Sequence, residues 1–454
     1  MKKTTHFIMC LLGLSFFAVS CGEAKEDKEA SDEKEVKIEK KDEADEPEGG
    51  DLITLSEERQ EDILVPEGFT VTTLATTDAI ARNLFVRDNG DVYVLFKEPK
   101  DDGSSMAALR DTDGDGVADS VVYFGEHAGR GSVYIRGEHL YHSTDTSVLR
   151  TKFVSEDELV PSGETETIVE GFEFHGEHGN KTFALDDENG LYLSIGAPSN
   201  ACQEDNRTPK SPGMDPCPLL EKYGGIWKFD AEKTHQKQED GEHYATGIRN
   251  MVAITWNSHE NQLYGVQHGR DQLNQFFPDK FSDKQSANQP SEEMFKISKG
   301  DNFGWPYCFY NPETKAKTLN PEYGGDGEST KGCEEFEDPI IDFPAHFAPN
   351  SVVFYGEGNF PEMYHHGAFI AFHGSWNRNK FKQWGYCIAF VPFEGNMPSG
   401  DDWGTFASGF EGPERVSSPE AAVHRPCGVT VGPEGAVYVA DSQKGRIWKI
   451  TYDN

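Results

Sequence analysis

Asn83-Leu84-Phe85-Val86-Arg87-Asp88-Asn89-Gly90-Asp91-Val92-Tyr93-Val94-Leu95 reads as two short strands around a polar turn. Apolar residues alternate on both arms, as they do in half-buried strands. Asn89 and Gly90 stand where a hairpin needs residues that tolerate positive φ. The pattern recurs at Ser132 to Tyr141, Lys181 to Ile195, Met251 to Val266, Ser351 to Phe372 (with a longer turn) and Gly428 to Ala440. Six such hairpins at irregular spacings predict an all-β fold, a six-bladed β-propeller with inserted loops. Gly225 to Phe229 and Gly445 to Ile450 follow two of the copies and read as outer blade strands. Phe69 to Leu74 is expected to close the ring against the C-terminal blade. A pair of β-sandwiches or a solenoid is the competing architecture, but two sandwiches would want a linker, and no linker composition follows residue 60.

The propeller so defined occupies residues 61–454, and what precedes it is different in kind. Lys2 and Lys3 lead into a mostly apolar run from Phe7 to Val19, too short to span a bilayer comfortably. Ala18-Val19-Ser20-Cys21-Gly22 then resembles a bacterial lipoprotein box, with Ala18 where Leu is usual. Residues 1–20 are therefore expected to be a signal peptide and Cys21 the lipidated N-terminus; an ordinary secretory signal is the alternative. Residues 22–50 hold 13 Asp/Glu and 6 Lys and no aromatic residue. Such a stretch cannot bury enough apolar surface to offset its ordering entropy. It reads as a disordered tether over residues 21–60. An envelope location follows, periplasmic or at the cell surface, with the lipid as the sole membrane contact.

The whole chain of 454 residues carries 42 Lys/Arg against 79 Asp/Glu, a formal charge of −37. Nucleic acid and anionic lipid both need a basic face and are disfavoured as partners. Beyond Cys10 and Cys21, six cysteines remain, an even number in an exported chain, which suggests disulfides. Proximity pairs Cys202 with Cys217 and Cys308 with Cys333 across short Gly/Pro-rich loops, and leaves Cys387 with Cys427. No CxxC pair is present to suggest a metal site.

Four segments go beyond a generic propeller. They are Gly176-Glu177-His178-Gly179-Asn180-Lys181; Thr246-Gly247-Ile248-Arg249-Asn250 with His268-Gly269-Arg270-Asp271; Gly304-Trp305-Pro306; and His373-Gly374-Ser375-Trp376-Asn377-Arg378 with Arg425-Pro426-Cys427-Gly428. Together, and in this order, they resemble the glucose/sorbosone dehydrogenase family, particularly its sorbosone branch. The resemblance implies pyrroloquinoline quinone (PQQ) at one end of the central channel with a calcium ion against it. It implies His178 as the general base that takes a proton from a sugar hydroxyl while hydride passes to the quinone. Histidine suits that task because its pKa lies near working pH. The resemblance further implies cofactor contacts from Arg249, Asn250, His373, Arg378 and Arg425, and calcium held by the backbone carbonyls of Gly269 and Arg270. Arginine's planar fork matches the carboxylates of the quinone. Val252 stands where many glucose enzymes have Gln, which points away from glucose as substrate.

A separate calcium signal lies in Asp111-Thr112-Asp113-Gly114-Asp115-Gly116-Val117-Ala118-Asp119. Carboxylates at alternate positions with Gly at the sixth follow calcium-loop logic, although the terminal Glu is replaced by Val122. Asp111, Asp113, Asp115 and Asp119 are the candidate ligands; an acidic hairpin turn is the alternative. Rival functions are a calcium-dependent lactonase-like hydrolase and a non-catalytic propeller that binds glycan or protein. Specificity is expected from the inserts Asn200 to Tyr223 and Gln272 to Met294. With no CxxCH for haem, a separate electron acceptor is expected.

Overall fold

The computed structural model describes residues 52–127, 129–378 and 380–453. Cys21, the signal segment and most of the acidic tether lie outside them. The described residues hold six four-stranded antiparallel sheets. Each hairpin anticipated from the sequence forms the two innermost strands of one blade: Ala81–Val86 with Val92–Phe96, Val133–Arg136 with His139–Ser143, Phe183–Leu185 with Gly190–Ile195, Met251–Asn257 with Gln262–Gln267, Pro349–Phe354 with Ala368–His373, and Pro426–Val431 with Val437–Asp441. Gly225–Asp230 and Arg446–Tyr452 are third strands, not the outermost ones. The strands outside them are Glu242–Thr246 and Phe69–Thr76, both joined through a register shift.

Alternation explains why the blades stack. In Val92–Phe96, Val92, Val94 and Phe96 pack against the sixth blade, whereas Tyr93 and Leu95 pack against the second. A strand that is apolar on both faces needs a neighbour on each side, and each pair of adjacent blades shares one hydrophobic cluster. Phe69–Thr76 completes the last blade by pairing with Arg446–Tyr452 in the register Phe69↔Tyr452 to Thr76↔Arg446. Phe69 is buried edge-on against Phe360, Phe406 and Tyr364, with centroids 4.7, 5.1 and 5.6 Å away.

The tether is shorter than expected. Leu52 and Ile53 pack against the core between the fifth and sixth blades. The Arg59 side chain donates to the carbonyls of Gly409 and Gly412, and Gln60 bridges to the backbone of Phe69 and Val71. Residues 52–60 therefore belong to the folded body.

Cys202–Cys217 and Cys308–Cys333 are disulfides, closing 15 and 25 residues of sequence. The pairing of Cys387 with Cys427 is not made. Cys387 faces the fourth blade, inside the cluster it shares with Met294, Phe343 and Trp403. Cys427 lies on the innermost strand of the sixth blade, 3.5 Å from the amide nitrogen of Asn350. The two side chains point into different blade interfaces, and a disulfide needs facing Cβ vectors. No helix among the described residues is long and apolar enough to cross a membrane.

Ring closure through Phe69 predicts a large cost for its removal. Phe69→Ala should destabilise the protein by about 3–5 kcal/mol, read as a shift in the urea unfolding midpoint. Ile80→Ala, at a 39%-exposed site, should leave the midpoint within error.

Candidate functional site

A cavity of about 250 Å³ opens where the inner strands begin, lined among others by His178, Arg249, Asn250, His268, Gly269 and Asp271. Sequence position explains the convergence. Asn250 immediately precedes the inner strand of the fourth blade, His268 follows that blade's second strand, and Ala348 precedes the inner strand of the fifth. Loops at one face of a propeller meet over the channel.

His178 has a left-handed backbone, φ 49°. It is seated against Gly196, where a Cβ would come within 2.7 Å of the histidine's own Cβ and 2.6 Å of its carbonyl oxygen. Its Nδ1 lies 2.6 Å from the carbonyl oxygen of Ala197. A carbonyl only accepts, so Nδ1 carries the proton and Nε2 keeps its lone pair. Burial holds the His178 pKa well below the usual value, and the Arg249 charge adds to the effect. The ring is neutral at pH 7. His268 and His346 also line the cavity, and both direct Nε2 at a backbone carbonyl, Pro349 and Ser286 respectively, at 2.8 Å. Burial lowers both pKa values, that of His268 to about 4.

Asp271 ties these parts together. Its carboxylate accepts from Arg249 Nη2 at 2.7 Å, Arg207 Nη2 at 3.3 Å and Asn377 Nδ2 at 3.1 Å. Burial alone would raise its pKa, but the Arg249 and Arg207 charges outweigh burial and hold it ionised, below the ordinary carboxylate range. Asn200 Oδ1 accepts from both Arg249 Nη2 and the Asp271 amide. Arg249 Nη1 donates to the Gly269 carbonyl at 2.9 Å, while Arg249 Nε is buried with no partner. Glu292 accepts from the amides of Gly269 and Ala348, and burial pushes its carboxyl up to about 8.

The sequence-predicted residues divide. His178, Arg249, Asn250 and Gly269 line the cavity. Arg270 turns its side chain away, into a buried pair with Glu322 and Asn320. Arg378 also turns away: it donates to Ala287 and Lys382 carbonyls and covers the Trp384 ring. The cavity takes another residue of that motif instead, Trp376, 53% exposed at the rim, while Asn377 acts through its hydrogen bond to Asp271. Arg425 donates to the carbonyls of His373 and Gly374, and His373 Nε2 meets Ser442 Oγ at 2.5 Å. These two hold the loop from behind the lining. The Trp-Pro segment acts at one remove as well, since Trp305 Nε1 donates to the Asn200 carbonyl.

Arg207, Asp271, Glu292, His346 and Trp376 complete the site beyond the sequence expectation. Asp271 and Trp376 lay inside motifs already singled out. Arg207, in an insert, and His346 carried no local signal. At the separate acidic loop, carboxylate oxygens of Asp111, Asp113 and Asp115 lie within 4.8 Å of one another. Asp119 is apart from them, binding the Thr112 amide and hydroxyl.

Desolvation lowers the pKa values of His142, His178, His268, His346 and His373, and these groups contribute to how stability depends on pH. Below about 6.5 the unfolded chain binds protons that the folded chain does not, so their stabilisation is present above that pH and lost as pH falls. Glu292 runs the other way: its folded pKa is raised, so its contribution is lost as pH rises toward 8. The melting temperature should climb from pH 4 to about 6.5 and then decline gently to about 8. Burial raises the Glu293 carboxyl as well, so Glu292→Gln should lessen the decline while leaving the climb, as followed by calorimetry across pH.

Comparison with known proteins agrees with the fold. A solved structure of the Trichoderma reesei carbohydrate-active enzyme of family AA12 superposes with a TM-score of 0.68 at 18% identity, covering 87% of this chain and 100% of that one. The holo PQQ domain of pyranose dehydrogenase from Coprinopsis cinerea gives 0.68 at 16%, covering 87% and 98%. The soluble aldose sugar dehydrogenase of Escherichia coli gives 0.52 at 16%, covering 85% and 99%. An uncharacterised protein of Borreliella burgdorferi is 27% identical over 218 residues, 48% of this chain and 50% of that protein's length. The chain thus spans about half of that relative. The family model described as TrAA12-like matches residues 63–453, which is nearly the whole folded body, and the chain belongs to that family.

Proposed function

We propose that the protein is a PQQ- and calcium-dependent sugar dehydrogenase, exported and anchored to the bacterial envelope through Cys21. The observation that carries the reading is the neutral, tautomer-fixed imidazole of His178 in one cavity with Arg249 and Asn250. The names of the solved neighbours support it: an AA12 carbohydrate-active enzyme, a pyranose dehydrogenase PQQ domain and an aldose sugar dehydrogenase. The two disulfides support export, since they persist in oxidising compartments.

The residues present fit the cofactor. Arg249 Nε is a buried cationic donor without a partner, which an anionic ligand would satisfy. Asn250 lines the cavity with its amide, and Trp376 offers an exposed flat ring at the rim. Arg249, Asn250 and Trp376 would hold the quinone; the carbonyls of Gly269 and Arg270, with the Asp271 carboxylate beside them, would hold calcium. Bound there, the quinone supplies a two-electron acceptor for hydride. The chain's own part is proton chemistry. His178 Nε2 accepts the hydroxyl proton of the sugar, and the Ala197 carbonyl keeps the ring in the tautomer that makes this possible. The imidazolium so formed is offset by the nearby ionised Asp271. Electrons then leave to a separate carrier.

Loaded with PQQ and calcium, the protein should reduce an artificial dye in the presence of aldoses or sugar alcohols. His178→Ala should retain bound quinone by absorbance but lose roughly 100-fold or more in kcat. Unchanged turnover in that variant would move the base to His268 or His346, and no turnover with any sugar despite bound quinone would defeat the dehydrogenase reading.

The Asp111 loop is proposed as a structural calcium site, independent of the cofactor. Asp111 carboxylate oxygens accept from the amides of Gly114 and Gly116, which shapes the loop before any ion arrives. Calcium should raise the melting temperature of cofactor-free protein, and Asp113→Asn/Asp115→Asn should remove that rise. A rise that persists in the double variant would place the stabilising ion elsewhere.

A further inference from the structure

The insert from Asn200 to Tyr223 meets the site twice. At its base, the Cys202–Cys217 bridge packs with Ala197 and Trp305 in one buried cluster. Both neighbours already serve the cavity. The Ala197 carbonyl fixes the tautomer of His178, and Trp305 Nε1 donates to the carbonyl of Asn200, whose side chain binds Arg249. At its tip, Asn206 Nδ2 and Arg207 Nε both donate to Glu177 Oε1 at 2.9 Å, and Glu177 is the residue before His178. Arg207 Nη1 donates to Gln272 Oε1 at 2.6 Å and Nη2 to Asp271 Oδ2 at 3.3 Å. The tip thus ties the segment that carries His178 to the segment that carries Asp271.

Little else orders that tip. From Gly196 to Cys217 the chain forms no helix or strand, only an isolated pairing of Gln203 with Gly213. Glu204, Asp205, Asn206, Thr208, Pro209 and Lys210 are exposed, so no apolar burial offsets the entropy of fixing them. Arg207 itself is left-handed, φ 54°, a conformation that side chains of this bulk rarely adopt unaided. The bridge closes the loop at a sequence separation of 15, which removes alternatives open to a slack chain.

We infer that Arg207 is a positioning residue for His178, and that closure of the Cys202–Cys217 bridge is what sets it. The site is then competent only in a chain whose bridge has formed. Formation takes two electrons and two protons from the two thiols; by thiol–disulfide exchange they pass to a disulfide-bearing oxidant, which leaves as its dithiol. A chain kept in a reducing compartment would hold its six sheets, none of which draws on the loop, and lack an ordered His178. The inference rests on the proposed function for the role of His178 as base, but not for its placement.

The first readout needs no cofactor. In cofactor-free protein carrying isotope-labelled histidine, the His178 nitrogen resonances, identified by their absence in His178→Ala, should report one tautomer with the proton on Nδ1. In Arg207→Ala and in Cys202→Ser/Cys217→Ser they should move toward the average of the two tautomers. In protein loaded with PQQ and calcium, Arg207→Ala should lower kcat roughly 10- to 100-fold at similar KM, and added methylguanidinium should restore part of it. Removing the bridge from Arg207→Ala should cost less than removing it from the unaltered chain. If the double serine variant does not fold, insertion of two glycines after Glu204, which slackens the tip with the bridge intact, takes its place and should give the same results. A tautomer that stays fixed in either variant, or losses from the two changes that multiply in full, would overturn the inference. Averaged tautomers in both variants of a protein that oxidises no sugar would uphold it and fault the dehydrogenase reading alone.

Discussion

The pairing of Phe69–Thr76 with Arg446–Tyr452 makes the two ends of the folded body neighbours. A stack of sheets that is apolar on both faces has no stable end. An open array would leave the outer face of its first and last blades in water. Closure removes both faces at once, and Phe69 delivers the N-terminal strand into the most aromatic of the six blade interfaces. The cost of bringing distant segments together is entropic and grows slowly with loop length, so closure over almost the whole chain is affordable once the interface is large. The residues before it, 52–60, brace the joint through Arg59 and Gln60.

Closure also fixes the site. The cavity draws on loops of the third, fourth and fifth blades. What unites them is the Asp271 carboxylate. A buried carboxylate is tolerated only when it is paired and hydrogen-bonded, and this one binds Arg249, Arg207 and Asn377 from three separate parts of the chain. Removing either arginine leaves the buried carboxylate with half its compensating charge, and removing Asn377 costs it a hydrogen bond. The geometry of the site is therefore as specific as its electrostatics are unforgiving.

The hairpins were legible because side-chain alternation has a period of two and turn residues mark each reversal. The outermost strands were not. Glu242–Thr246 is exposed at its first two residues and partly buried beyond them, and Phe69–Thr76 carries a register shift, so neither shows clean alternation. The short disulfides were legible from proximity, whereas Cys387 and Cys427 were paired by elimination, which cannot see which way a strand turns a side chain. The same limit governs the motifs. Their order marked where the site is, but the direction of each side chain depends on backbone twist. In the segment from His373 to Arg378, Trp376 lines the cavity and Asn377 binds Asp271 while Arg378 packs on Trp384. Arg207 had no signal at all, because its part is set by the path of an insert.

Burial of the histidines links stability to chemistry. His178 stays neutral because charging it would place a cation in a desolvated site beside Arg249. In the proposed reaction, that is the same condition that would let Nε2 accept a proton from a sugar hydroxyl at neutral pH. A base held in this way is poor at keeping the proton, since the pKa that favours the neutral ring also favours its release. Asp271 moderates the penalty: its charge raises the His178 pKa while the two arginines lower it. The balance among one carboxylate, two guanidinium groups and one imidazole thus sets how far the proton moves. A protein that loosened this cluster to gain acid stability would at the same time lose control over the protonation of His178.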